Sequence, residues 1–251
     1  NPLALAAGPY RSAIPENRLN QDLTLRLAAF LENAGATIVL TRINRLQRDG
    51  QSLTYRDSYQ REGTSRIFLD HAELDRLAQI GMQRNPLNQL PIAKIYAPKE
   101  DSTARKNQIA SLENIVARAE LANQANADVA LVLHADALNY PQRRGRLFFV
   151  YHPGTPELHD RDYFTPASGS SLMLAQQIND ELEKLPTAIP LDGIYGRDLW
   201  YLGIAQMPAI LIETGRMTNK EDMDILANAQ NRQDMALAIG RGIIRYFAKK
   251  R

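Results

Sequence analysis

The stretch "ILIETGRMTN", residues 210–219, opens with three branched apolar residues and then sets a carboxylate, Glu213, against a threonine and a glycine. With Ala209 in front, it reads as a strand buried on both faces. Glu213 falls at the carboxyl end of that strand, where the sites of open α/β sheets gather. An acid there is either a helper to some chemistry or a charge in need of a partner.

Outward from this strand, helix-like and strand-like segments alternate. In "LNQDLTLRLAAFLENAG" the residues Leu19, Leu23, Leu27, Phe30 and Leu31 recur at helical spacing, and the helix is expected to stop at Gly35. The strand-like "ATIVLTR" follows. The pattern returns in "SLENIVARAELANQANA", with Leu112, Ile115, Val116 and Ala119 on one face, followed by the strand "DVALVLHADA". Then come a strand over "RLFFVYH", a helix over "SSLMLAQQINDELEKL", the Glu213 strand, and a last helix from Met235 to about Phe247. Asn219, with Lys220, Glu221 and Asp222 behind it, reads as the capped start of a short helix. This order predicts an α/β fold, a mostly parallel sheet flanked by helices in a single domain. Between Ile43 and about Gln108 the texture turns polar and is broken by Gly50, Gly63, Gly81, Pro86, Pro91 and Pro98. We read residues 43–108 as an insertion, partly helical around "DHAELDRLAQIGM", in a domain spanning 1–251.

Composition narrows the function. With 251 residues, 44% hydrophobic and 23% charged, the chain can bury a full core. A formal net charge of +2 provides no field that argues for nucleic acid. The absence of cysteine excludes disulfides, thiolate zinc sites and a cysteine nucleophile, and is compatible with an exported protein. No apolar run approaches the ~18 residues of a membrane span.

Without cysteine, a zinc site rests on histidine and carboxylate ligands. Among the four histidines, His134 is the sharpest candidate, because it ends the apolar strand "VALVLH" and projects where Glu213 lies. Taken alone, a histidine at a strand end is more often structural. Glu16, in "IPENRLNQDL", sits at the first turn of a helix, where a carboxylate also suits the helix dipole. His71 falls in the insertion, and His152 and His159 flank a loop with prolines; all three read as surface residues. Tyr195, Trp200 and Tyr201 offer flat surfaces to a ligand but read first as packing, and Arg197 beside Asp198 reads as a surface ion pair.

Taken in order, these segments resemble the zinc-dependent N-acetylmuramoyl-L-alanine amidases of the type 3 class, bacterial enzymes that cut peptidoglycan. Glu16 with Asn20 and "LTLRLAAFLENAGATIVLTR" resembles the family's metal-binding glutamate with its helix and strand. "RAELANQANADVALVLHADA" resembles the segment with a metal-binding histidine, here His134, and "GRDLWYLGIAQMPAILIETGRMTNKED" the strand and loop with the catalytic glutamate, here Glu213. The resemblance implies zinc held by Glu16 and His134, with Glu213 as proton carrier. It implies peptidoglycan as partner and action in the periplasm or cell envelope. It leaves open any regulatory protein.

One motif is missing. The family's other zinc histidine lies in an "Asp-Pro-Gly-His-Gly-Gly" type turn that does not occur here. Either "LALAAGPYR" is that strand and turn, with Pro9 in the histidine position, or the motif belongs upstream of Asn1. The first alternative implies a catalytically silent peptidoglycan-binding or regulatory relative. A zinc carboxypeptidase would show a paired histidine and glutamate motif, and none is present.

Overall fold

The computed structural model describes residues 14, 16–41, 115–138, 140–153 and 169–250, with the backbone alone of 46–48, 51–53 and 165–166. In chain order the elements are α1 (Glu16–Asn33), β1 (Leu46–Arg48), β2 (Gln51–Leu53) and a helical run α2 (115–124). Then follow β3 (Ala130–Asp136), β4 (Arg146–Tyr151), β5 (Thr165–Pro166), α3 (Gly169–Leu182) and β6 (Leu191–Arg197). The chain continues through α4 (Trp200–Ile204), β7 (Ala209–Arg216), α5 (Lys220–Ala227) and α6 (Ala229–Lys250).

The described strands form a two-stranded pair, β1 with β2, and a five-stranded sheet in the order β3, β7, β4, β6, β5. The α/β architecture expected from the sequence is there. The sheet, expected to be mostly parallel, is mixed: β4 runs parallel to β6 but antiparallel to β7, and β5 runs antiparallel to β6. An unbroken apolar run reports that both faces of a strand are covered, not which way its neighbour runs. That is why "AILIE" gave the burial of β7 and not its direction.

The residues fall into two compact units. The first holds the described residues of 1–35, 131–198 and 208–251. In its sheet, Phe148 pairs with Ile212 and Val150 with Ile210, and these four side chains on one face are fully buried. Burying each contributes about 1.5–3 kcal/mol. Helix α6 packs against both α1 and α3, and α3 against β4, β6 and β7. Gly242 permits the α3–α6 approach: a Cβ there would stand 2.4 Å from the Ile178 Cα, which is backbone and cannot step aside. Gly35 ends the first helix with φ of +90°, as its sequence position suggested.

The second unit holds the described residues of 36–130 and 199–207. Its cluster joins Val116 and Ala119 of α2 to Trp200 and Ile204 of α4, with Ile115 and Tyr201 packed against it. Asn123 ties the two segments, donating to the Ile204 carbonyl (3.1 Å) and accepting from the Gln206 N–H (2.9 Å). Trp200 is therefore a packing residue.

The strand expected over "ATIVLTR" is corrected: residues 36–41 have no regular structure. They are exposed or half-buried, and among the described residues no strand lies beside them. β-propensity expresses fit to a pleated, half-buried surface, and without a partner strand Ile38 and Val39 have none to fit. β6, which the sequence did not reveal, carries glycines at 193 and 196 that blur its alternation. The last helix begins six residues before Met235 and runs past Phe247. The "DHAELDRLAQIGM" helix, His71, His159, Pro9 and most of the 43–108 segment lie outside the described residues.

Candidate active site

Three segments of the first unit meet at one edge of the sheet. β3 and β7 both end there, and α1 begins there. Thr214 Oγ1 donates to the His134 carbonyl (2.9 Å), and the Met217 N–H donates to the Asp136 carbonyl (2.7 Å). These bonds bring the residue after Glu213 alongside His134.

Glu16 stands in the first turn of α1, where its charge meets the positive end of the helix. Its Oε1 lies 2.9 Å from His134 Nδ1, takes the Ala135 N–H at 3.3 Å, and accepts from Asn20 Nδ2 at 2.9 Å. Both side chains of the Glu16–His134 pair are about half exposed. Partial burial pushes the Glu16 carboxyl up, but His134, the Ala135 N–H and Asn20 together outweigh it and hold it below the usual range. Glu16 is thus an ionised carboxylate, oriented before any ligand arrives.

Glu213 is the reverse case. The residue keeps some surface exposure, yet its Oε2 is buried with no hydrogen-bond partner among the described residues. Burial pushes its carboxyl up to about 8; the His134 ring opposes the rise, Asp136 and Glu16 add to it, and Arg216 opposes it. His134 and Glu213 lie at one sheet edge, as their strand-end positions in the sequence suggested, and the start of α1 brings Glu16 beside them. His152 lies elsewhere, beyond the far end of β4, where its N–H meets the Arg197 carbonyl at 3.1 Å. Arg197 lies over the Phe149 ring at 5.3 Å, and the Tyr195 hydroxyl donates to the Asp192 carbonyl.

Sequence reasoning missed the charges beneath the edge. Arg216 is only 2% exposed and binds Asp136, with its other amino group 2.6 Å from Asp192. Asp192 is also gripped by the Arg143 fork at 3.0 and 3.1 Å. Asp222, fully buried, accepts the Gly145 and Arg216 N–H groups at 2.8 and 3.1 Å and pairs with Arg144. A signal was available: an arginine three residues past Glu213 at the end of the strand, and an aspartate two past His134.

Neutral imidazole and carboxylate are the donors zinc takes in a chain without cysteine, and Glu16 with His134 supplies one of each, with Asn20 as the outer partner that orients the acid. Among the described residues no group of three histidine, aspartate or glutamate side chains is arranged to hold a metal ion. The pair thus fits two of the three protein ligands of a catalytic zinc.

An α/β unit that brings a carboxylate–imidazole pair and a second carboxyl with a raised pKa to one strand edge has the equipment of a hydrolase using acid–base chemistry. The chain belongs to the type 3 N-acetylmuramoyl-L-alanine amidase family, which matches residues 84–245. His134 and Glu213 lie within that match, and Glu16 lies upstream of it. A curated relative, the N-acetylmuramoyl-L-alanine amidase Rv3717 of Mycobacterium tuberculosis, is 35% identical over 136 residues, 52% of this chain and 53% of that protein. The match thus covers about half of that relative's length. Among solved structures, the CwlD amidase of Clostridioides difficile, in complex with the GerS lipoprotein, aligns with a TM-score of 0.59 at 19% identity, covering 94% of this chain and 88% of that one. The amidase AmiC2 of Nostoc punctiforme aligns at 0.54 and 19% identity, covering 97% and 90%. These two likenesses establish the fold.

Proposed function

We propose that the chain is a zinc-dependent peptidoglycan hydrolase that cleaves the amide between the lactyl group of N-acetylmuramic acid and L-alanine of the stem peptide. The observation that carries this reading is the Glu16–His134 pair standing beside Glu213, whose Oε2 is buried without a partner among the described residues and whose carboxyl is pushed up to about 8, in a chain of this family. Glu16 and His134 would hold the metal, which would supply Lewis acidity to the amide carbonyl and to the attacking water. Glu213 accepts the proton of the attacking water and returns it to the departing alanine nitrogen. A carboxyl poised near neutrality both takes and gives a proton at the pH of the envelope. Action on peptidoglycan places the protein outside the cytoplasm, in the periplasm or cell envelope. Among the described residues no helix is long and apolar enough to cross a membrane. The polar segment at 43–108 is an insertion in the catalytic domain, and deleting it should change turnover without unfolding the rest.

The test is mass spectrometry of purified peptidoglycan after incubation with the zinc-loaded chain. Stem peptides with a free L-alanine amino group are the expected product, absent with Glu213→Gln. A second reading, a silent relative that binds peptidoglycan, is favoured by one observation: the described residues supply two ligands and not three. It predicts pelleting with peptidoglycan and no released peptide.

A further inference from the structure

We infer that Arg216 is a positioning residue, a buried clamp that sets the spacing between the Glu16–His134 pair and Glu213. This inference rests on the functional reading above and adds a residue to it.

Beyond Glu213, three consecutive contacts cross from β7 to β3: the Thr214 hydroxyl to the His134 carbonyl, the Arg216 guanidinium to the Asp136 carboxylate, and the Met217 N–H to the Asp136 carbonyl. Two of these are single bonds that a small slide of one strand would break. The arginine differs because its planar fork spans a distance and fixes an angle. One amino group holds Asp136, two residues past His134, and the other holds Asp192 on β6. Asp192 is itself fixed from outside by the Arg143 fork. The guanidinium therefore ties β3, β7 and β6 together beneath the site.

Its burial makes the clamp rigid. Two carboxylates and two guanidiniums alternate as Asp136, Arg216, Asp192, Arg143, so the charges balance. Removing one member would leave its partner's charge uncompensated beneath the site. The arrangement can slide only if several ion pairs break together. His134 and Glu213 sit two and three residues from the clamped atoms, too few for the strands to absorb a shift. Misplacing a catalytic group by about 1 Å lowers turnover roughly 100-fold.

Arg216→Lys keeps the charge and removes the fork, so it separates position from electrostatics. Asp192→Asn keeps an acceptor for the fork and tests the same link with a milder change. Both variants are assayed as zinc-loaded full chains for kcat and KM on peptidoglycan. The His134 ring is followed by NMR at fixed pH, alongside methyl signals of Ile178 and Ile239 in the core. The clamp predicts that Arg216→Lys loses about 10- to 100-fold in kcat with KM within about 3-fold, and that Asp192→Asn loses less. The His134 ring signal moves in both while the core methyls stay. Equal kcat and an unmoved ring in a folded Arg216→Lys or Asp192→Asn chain overturns the inference. If Arg216→Lys fails to fold, Asp192→Asn decides by the same two readings. A wild-type chain that releases no peptide defeats the functional reading alone, because the His134 ring in the variants still decides the clamp.

Discussion

Glu16 and Glu213 occupy the same sheet edge, and their surroundings push them in opposite directions. Glu16 is half exposed, accepts from three donors and stays ionised. Glu213 has one oxygen buried without a partner among the described residues and is pushed up to about 8. Two carboxyls with separated proton affinities can take separate roles, one as a fixed anion for a cation and one as a carrier of protons. Glu16 belongs to a helix start, which supplies N–H groups and a favourable dipole. Glu213 belongs to a strand whose own N–H and C=O groups are spent on β3 and β4. The difference comes from the elements that carry them.

The sharpest way to break this contrast is Glu213→Gln. Removing a general base costs on the order of 10² to 10⁴-fold in kcat, read as released stem peptide, with zinc content unchanged. The mirror change, Glu16→Gln, should remove zinc first and activity as a consequence. An outcome in which Glu213→Gln strips the metal and Glu16→Gln keeps it would exchange the two roles.

The pH dependence separates the pair without any assay of activity. In the metal-free chain Glu213 has a raised pKa, so the unfolded chain loses its proton near 4.5 while the folded chain keeps it to about 8. Stability should therefore fall as pH rises across that window, and Glu213→Gln should abolish this slope. Glu16 has a lowered pKa, so its contribution is present above 4.5 and is lost on acidification through its folded value. Chemical denaturation from pH 3 to pH 9, on the wild type and both glutamine variants, gives the two slopes; slopes of the same sign would end the contrast.

Asn20→Ala is a smaller perturbation. It deletes the donor that orients Glu16 and should weaken zinc affinity by about 10-fold in a chelator competition, leaving the Glu213 slope in place. Smallest of all is Asn219→Ala, which removes the cap on α5, whose Oδ1 accepts the Asp222 N–H at 3.1 Å. It should cost about 1 kcal/mol in denaturation and shift neither carboxyl.

Much of this was legible in the chain. The leucine spacing before Gly35 gave α1, and the apolar runs around His134 and before Glu213 gave β3 and β7. The acid at the end of "AILIE" pointed to the sheet edge where the candidate site lies. What stayed hidden depended on partners far away in sequence. Residues 36–41 have strand composition but pair with no strand among the described residues, and β6 is a strand despite Gly193 and Gly196. The direction of β7 is fixed by its pairing with β4, which no local pattern records. Arg216 reads as an ordinary charge after a strand until Asp136 and Asp192, 80 and 24 residues away, are seen around it.

The measurement that bears most directly on the central claim is the zinc content of the chain purified without chelators, compared with Glu16→Ala and His134→Ala. The account predicts close to one zinc per folded chain and loss of the metal in both variants. A folded wild-type chain that takes up no zinc when supplied, or variants that hold it as firmly as the wild type, would contradict it.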